Sequence, residues 1–318
     1  MSSENKSQEK TTLHPRNKNR ERYDLTSLIV AVPELANHVK PNKFGDDSVD
    51  FANPVAVKLL NKALLKHYYG IENWDFPDVN LSPPIPGRAD YIHYMADLLK
   101  ESNFGRLPAG DKINCLDVGV GASCIYPILG VTEYGWNFKA VDIDKKSVES
   151  AKAIVEKNPQ LSGKIKCWLQ NNPRHFFEDV IVTDEKFDLT FCNPPFHASA
   201  DDARSGTERK NKNLSGKKGS AELNFSGISN ELITEGGESK FINDMVFESR
   251  RFGKSCFWFS TLVSKQSNLK GIYKTLEKVG AEQVKTINMG TGNKSTRIVA
   301  WSFLSKEEQK AWRENRFK

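Results

Sequence analysis

Apolar and polar positions follow two different rhythms along this chain, and the rhythm changes near residue 106. Upstream, Val55-Ala56-Val57-Lys58-Leu59-Leu60-Asn61-Lys62-Ala63-Leu64-Leu65 spaces its apolar residues at helical intervals. The run follows Asn53-Pro54, a capping residue with proline at the first helical position, so a helix is predicted to start there. A second helix is predicted over about 89–100, entered through Pro83-Pro84-Ile85-Pro86-Gly87-Arg88. Downstream, short apolar runs alternate with amphipathic stretches. Strands are predicted at 113–118, 138–142, 165–169, 187–192, 255–262, 282–288 and 296–303. Helices are predicted at about 123–130, 145–157, 173–180, 238–252 and 267–279. Such alternation is the signature of a doubly wound α/β sheet. The last two strands are joined only by Gly290-Thr291-Gly292-Asn293-Lys294, too short for a parallel crossover, so they must pair as an antiparallel hairpin.

The most informative chemistry lies where the fourth strand, Phe187-Asp188-Leu189-Thr190-Phe191-Cys192, stops at Asn193-Pro194-Pro195-Phe196. Open α/β sheets bind ligands at the carboxyl ends of their strands. The Asn193 side-chain oxygen and the following backbone carbonyl can accept both hydrogens of a planar exocyclic amine. The prolines make the stretch rigid and rich in acceptors, and Phe196 offers a face for a base to stack on. His197 reads either as a structural imidazole or as the group that takes the surplus proton after transfer.

A second motif, Leu116-Asp117-Val118-Gly119-Val120-Gly121-Ala122-Ser123, ends the first strand and opens a helix. Gly119 and Gly121 permit a sharp turn and close approach to a ligand. The third glycine of the dinucleotide fingerprint is missing, because position 124 is Cys, which favours a nucleoside such as S-adenosylmethionine over NAD. Asp142 follows the glycines at the distance where a carboxylate accepts both ribose hydroxyls. Asp144 reads as the cap of the next helix, and Ile143 can pack on adenine. After the third strand, either Asn171 or Asn172 stands where a polar side chain meets the cofactor's adenine. Asp117 either orients the methionine part or is a satisfied strand-end carboxylate. Six parallel strands with a last one inserted antiparallel form the Rossmann-like sheet of class I methyltransferases, here with an N-terminal helical extension.

Composition narrows the class further. The 38% apolar and 27% charged content is that of an ordinary soluble protein, and no apolar stretch is long enough for a membrane span. Five scattered cysteines without Cys-x-x-Cys pairs read as free thiols in a reducing compartment; no metal site is expected, and a cytoplasmic location is. The net charge of +6 is compatible with a polyanionic partner. Residues 1–22 read as a disordered basic arm, 23–105 as the helical segment, 106–305 as the catalytic domain and 306–318 as a polar tail with a frayed helix. Residues 197–237, with Arg204, Arg209, Lys210, Lys212, Lys217 and Lys218, read as a basic mobile flap over the target pocket.

Taken together, the chain resembles the ribosomal RNA large subunit methyltransferase F family, to which eukaryotic methyltransferase-like RNA adenine-N6 enzymes are related. The likeness runs through Leu13-His14-Pro15-Arg16-Asn17, Val49-Asp50-Phe51-Ala52-Asn53-Pro54 and Pro86-Gly87-Arg88-Ala89-Asp90-Tyr91-Ile92-His93. It continues through Gly119-Val120-Gly121-Ala122-Ser123-Cys124-Ile125-Tyr126-Pro127, Cys192-Asn193-Pro194-Pro195-Phe196-His197 and Glu235-Gly236-Gly237-Glu238. The resemblance implies methylation of one adenine N6 in 23S ribosomal RNA, adenine-1618, on naked RNA or a large-subunit precursor, with no obligate protein partner. It implies cofactor contact by Arg88, Gly119, Ser123, Asp142 and Asn172, with Asn193 close to both ligands. Asp142 stands where some relatives carry Glu. Two alternatives share these motifs: a protein glutamine N5-methyltransferase, and an RNA-binding assembly factor with a vestigial fold.

Overall fold

The computed structural model describes residues 13–42, 44–195, 233–291 and 294–317. A seven-stranded sheet forms the centre: β3 (Asn114–Val118), β4 (Asn137–Asp142), β5 (Ile165–Leu169), β6 (Phe187–Cys192), β7 (Cys256–Val263), β8 (Gln283–Thr291) and β9 (Lys294–Ser302). A small antiparallel pair, β1 (Val39–Pro41) and β2 (Asp47–Val49), precedes it. The large sheet runs β5-β4-β3-β6-β7-β9-β8. The pairs among β3 to β7 are parallel, and β9 lies antiparallel between β7 and β8. The order reverses between β3 and β6, the switch point at which such sheets open a crevice.

The helices are α1 (Leu25–Ala31), α2 (Pro54–Tyr69), α3 (Ile85–Ser102), α4 (Ile125–Tyr134), α5 (Lys145–Glu156), α6 (Gly237–Ser249), α7 (Leu269–Lys278) and α8 (Lys306–Arg316). Asn53 caps α2 by accepting from the Val55 and Ala56 N–H groups, with Pro54 at its first position. Asp144 caps α5 through the Ser147 N–H at 2.9 Å. Buried residues of α2 to α5 share one apolar cluster with Cys115, Phe138, Ala140, Leu189 and Phe191 of the sheet. Ile242, Met245 and Val246 of α6 and Ile272 and Leu276 of α7 join Leu116, Val141 and Phe259 in a second cluster. Helices therefore cover both faces, and the helical extension packs into the same core as the sheet.

Three expectations are corrected. Residues 13–22 are not a disordered arm: Leu13, His14, Asn17 and Asn19 are buried. Residues 173–180 form turns instead of a helix. The physical reason is Glu248 on α6, whose carboxylate accepts the N–H groups of Phe176, Phe177 and Glu178, each at 2.8 Å. Those donors are drawn outward to one acceptor, so they cannot follow a helical ladder. The C-terminal stretch is not a frayed tail. A capping box of Ser305 and Glu308 starts α8, Trp312 is buried, and Arg316 forks onto the fully buried Asp188 at 2.8 and 2.6 Å. Among the described residues no helix is long and apolar enough to cross a membrane.

Candidate active site

Strand register assembles the site. Val118 pairs with Val141 on one side and with Cys192 on the other. The next residue on each strand, Gly119, Asp142 and Asn193, therefore ends in a row. Neighbouring strands are about 4.8 Å apart, so the glycine turn and the Asn193 amide flank each other across the β3–β6 switch point. Gly119 and Gly121 take φ of +81° and +64°, the left-handed region open to glycine. The Gly119 and Val120 N–H groups both donate to the Val141 carbonyl at 2.9 Å, which folds the turn back over β4. Cys124 continues the turn with φ +54°, a conformation that costs a side-chain-bearing residue energy.

Asp142 is held by the turn it faces. Its Oδ2 accepts the Gly121 N–H at 2.8 Å and its Oδ1 accepts the Asp144 N–H at 2.9 Å. Each oxygen keeps a second lone pair, so the fixed carboxylate can still receive two hydroxyls. Burial pushes its pKa up, and the two backbone donors oppose that shift. Asp117 differs. It is fully buried at the end of β3, and neither carboxylate oxygen finds a hydrogen-bond partner among the described residues. Burial raises its pKa well above the ordinary carboxylate range; Asp142 adds to the shift and Arg88 opposes it. Arg88, in the first turn of α3, donates to the Tyr126 hydroxyl at 2.8 Å. The Asn193 side-chain oxygen is likewise buried and without a partner among the described residues. Ser123 is buried, and its carbonyl accepts the Trp74 indole N–H at 2.8 Å. Asn172 is half-buried, its Oδ1 accepting the Arg174 N–H at 3.1 Å, while Asn171 is exposed.

A cleft of about 530 Å³ opens beside this row, lined by Ile143, Pro173, Phe176, Pro195, Lys240 and Phe241 among others. A smaller one, about 350 Å³, lies by Arg250 and Lys254 at the amino end of β7, away from these strand ends. Pro194 is buried and Pro195 half-buried. Phe196, His197 and the flap as far as residue 232 lie outside the described residues.

The sequence reading missed two parts. Tyr91 on α3 is buried, its hydroxyl meeting Ser260 Oγ at 2.8 Å and accepting the Cys192 N–H at 3.4 Å. Nothing in the sequence distinguishes it from a core tyrosine. Glu238, within Glu235-Gly236-Gly237-Glu238, is buried at the start of α6 and accepts from Ser264, Lys265 and Asn268. That motif pins the loop after β7 to α6.

A sheet of this order, with a glycine turn and an acidic β4 terminus, defines a class I methyltransferase. Residues 7–305 match the Methyltransf_10 family of RNA methyltransferases. The chain is 54% identical over 322 residues to ribosomal RNA large subunit methyltransferase F of Cytophaga hutchinsonii, covering 100% of both chains. It is 52% identical over 327 residues to the protein of that name from Photobacterium profundum, covering 98% of this chain and 97% of the relative. The solved hMettl16 catalytic domain in complex with MAT2A 3'UTR hairpin 1 superposes with a TM-score of 0.78 at 30% identity, covering 93% of this chain and 96% of that one. The N-terminal domain of human METTL16 in complex with SAH gives 0.72 at 28% identity, covering 92% and 99%. The chain belongs to the ribosomal RNA large subunit methyltransferase F family and is an RNA methyltransferase. The glutamine-methylating and vestigial alternatives are set aside.

Proposed function

We propose that the protein methylates N6 of an adenine in 23S ribosomal RNA of the large subunit, using S-adenosylmethionine. The observation that carries this reading is the buried Asn193 oxygen, without a partner among the described residues and in line with the glycine turn. A buried acceptor without a donor costs about 1–3 kcal/mol, a cost that a substrate amine removes on binding. The residues present also fit the cofactor. Asp117 suits its ammonium, Arg88 its carboxylate, Asp142 its ribose hydroxyls and Asn172 its adenine, while Gly119, Gly121 and Ser123 let backbone approach. When bound, S-adenosylmethionine supplies an electrophilic methyl group on a sulfonium.

An aromatic amine is a poor nucleophile because its lone pair is delocalised into the ring. Asn193 Oδ1 and the Pro194 carbonyl accept the two N6 hydrogens and favour a pyramidal nitrogen, which returns the lone pair to it. Pro195 keeps the rim rigid, and Phe196 stacks on the base at roughly 1–3 kcal/mol. Fixed alignment of this kind is worth up to roughly 7–11 kcal/mol. With a sulfonium methyl bound, the attacking nitrogen would take over the positive charge and would then lose a proton to water, so no strong base would be needed beforehand. The adenine must be unpaired or extruded to reach the rim. The hMettl16 complex with a 3'UTR hairpin supports RNA as the substrate, and the complex with SAH supports the cofactor class.

The test uses labelled S-adenosylmethionine and unmodified ribosomal RNA, digested to nucleosides. Label is expected in N6-methyladenosine, and Asn193→Ala should reduce it by at least about a hundredfold, or 2.7 kcal/mol. Label in protein, or label in RNA that survives the substitution, rejects the assignment.

A further inference from the structure

Residues 13–19, read from sequence as part of a disordered basic arm, are committed to contacts within the protein. The Arg16 guanidinium lies 2.9 Å from Asp97, donates to the His93 carbonyl at 3.1 Å and to the Tyr134 hydroxyl at 3.0 Å. Lys18 donates to the Tyr68 carbonyl at 3.2 Å and pairs with Glu133 at 3.1 Å. His14 meets Asp97 at 2.9 Å through its ring and Asp90 at 3.0 Å through its N–H. Asn17 donates to the same Asp90 oxygen at 2.5 Å and to the Pro86 carbonyl at 2.8 Å.

All these partners on α3, namely Pro86, Asp90, His93 and Asp97, follow spacings of four, three and four, so they form one stripe along the helix. At 3.6 residues per turn, Arg88 and Tyr91 point across the helix from that stripe. Arg88 reaches Tyr126, and Tyr91 accepts the N–H of Cys192, the residue before Asn193. Tyr91 is further fixed edge-on to Tyr126 and Phe191, with ring centroids at 5.3 and 5.1 Å. One side of α3 is thus bonded to the N-terminal segment and the other to both halves of the site.

We propose that His14-Pro15-Arg16-Asn17 is a strap that sets the rotation and depth of α3, and so positions Arg88 and Tyr91 for the reaction, instead of gripping RNA. The proposal rests on the reading above, in which Arg88 serves the cofactor and Asn193 the target amine. A buried network of hydrogen bonds is directional and accepts one helix rotation, where an apolar contact would tolerate several. A displacement near 1 Å at such a distance is enough to cost about a hundredfold in rate.

The test compares full-length Asn17→Ala, Asp90→Ala, Asp90→Asn, Arg88→Ala and the Asn17→Ala/Arg88→Ala double variant. Calorimetry gives the affinity for S-adenosylhomocysteine, filter binding the affinity for a large-subunit RNA fragment, and steady-state assays KM and kcat. Asn17→Ala and Asp90→Ala are expected to weaken S-adenosylhomocysteine about tenfold and to leave RNA affinity unchanged. Asp90→Asn keeps the accepting oxygen and should restore wild-type values. The double variant should bind no worse than Arg88→Ala alone, since the strap acts through that residue. Loss of RNA affinity with cofactor affinity intact overturns the strap, and so does full additivity, which would mark a purely structural role. If Arg88→Ala alone leaves S-adenosylhomocysteine binding intact while the strap variants weaken it, the assignment of Arg88 falls and the strap stands. Should Asp90→Ala fail to fold, Arg16→Ala at the strap's half-exposed edge must show the same cofactor-over-RNA split; RNA loss there also rejects the proposal.

Discussion

Burying a carboxylate without a donor is costly, and Asp117, buried at the end of β3, finds none among the described residues. Its raised pKa fixes the sign of a pH effect. Above the ordinary carboxylate value of about 3.9, the folded protein holds a proton there that the unfolded chain has released. Stability from this group is full below that value and is lost as pH rises toward the folded-state pKa. Asp117→Asn removes the titration, so the melting temperature without cofactor should rise at neutral pH, and its decline with pH should flatten. Losing the charge-assisted bond proposed between Asp117 and the cofactor's ammonium, a bond of about 1.5–3 kcal/mol, should weaken S-adenosylhomocysteine at least about tenfold. Differential scanning fluorimetry from pH 5 to pH 8 with calorimetry reads both; a variant that loses stability and keeps affinity contradicts the role. The placement of Asp142 beside the glycine turn was legible from its spacing after the glycines. The isolation of Asp117 was not, because it depends on which donors the surrounding elements fail to supply. Arg88 needed the family resemblance, and Tyr91, although inside the same matching stretch, carried nothing that set it apart from a core tyrosine.

Among the elements, strands were read most accurately, since a buried parallel strand is an unbroken apolar run bounded by polar turns. β6 is buried at all six positions and lies within the range expected for it. The errors fall where one distant side chain decides local structure. Glu248 takes three N–H groups of residues 176–178 from a helix away, and Pro173, Arg174 and Phe176 wall the cleft. Glu248→Ala should free those donors, costing roughly 2–3 kcal/mol of stability, and raise KM for the cofactor more than it lowers kcat. A change confined to stability would show that this wall is not used. α8 looked like a tail because its composition is polar, yet Trp312 and Arg316 both donate to Asp188 on β6. Among the described residues, Arg316→Ala leaves a buried carboxylate with only the Trp312 indole and the Asn114 N–H. A loss of about 3 kcal/mol in urea unfolding is expected, with unchanged affinity for S-adenosylhomocysteine.

At the scale of the whole molecule, the charge that meets RNA must be one that folding has not already neutralised. Arg16 and Lys18 fail that condition, because each is paired inside the protein. The segment between residues 204 and 218 carries six cationic side chains against one acid, Glu208, close to the whole chain's net charge of +6. It begins eight residues after Phe196 of the Asn193-Pro194-Pro195-Phe196 motif, close enough along the chain to suit contact with phosphates near the target base. Each phosphate neutralised on a single strand contributes about 0.7 to the slope of log affinity against log salt. Replacing Arg204, Arg209, Lys210, Lys212, Lys217 and Lys218 by glutamine should therefore flatten that slope by up to about 4, leaving S-adenosylhomocysteine affinity and melting temperature unchanged. Glutamine at Arg16 and Lys18 should lower the melting temperature and leave the slope where it was. Filter binding from 50 to 200 mM salt separates the two sets; a slope that responds to Arg16 and Lys18 and ignores the 204–218 cluster would return the N-terminal segment to the RNA.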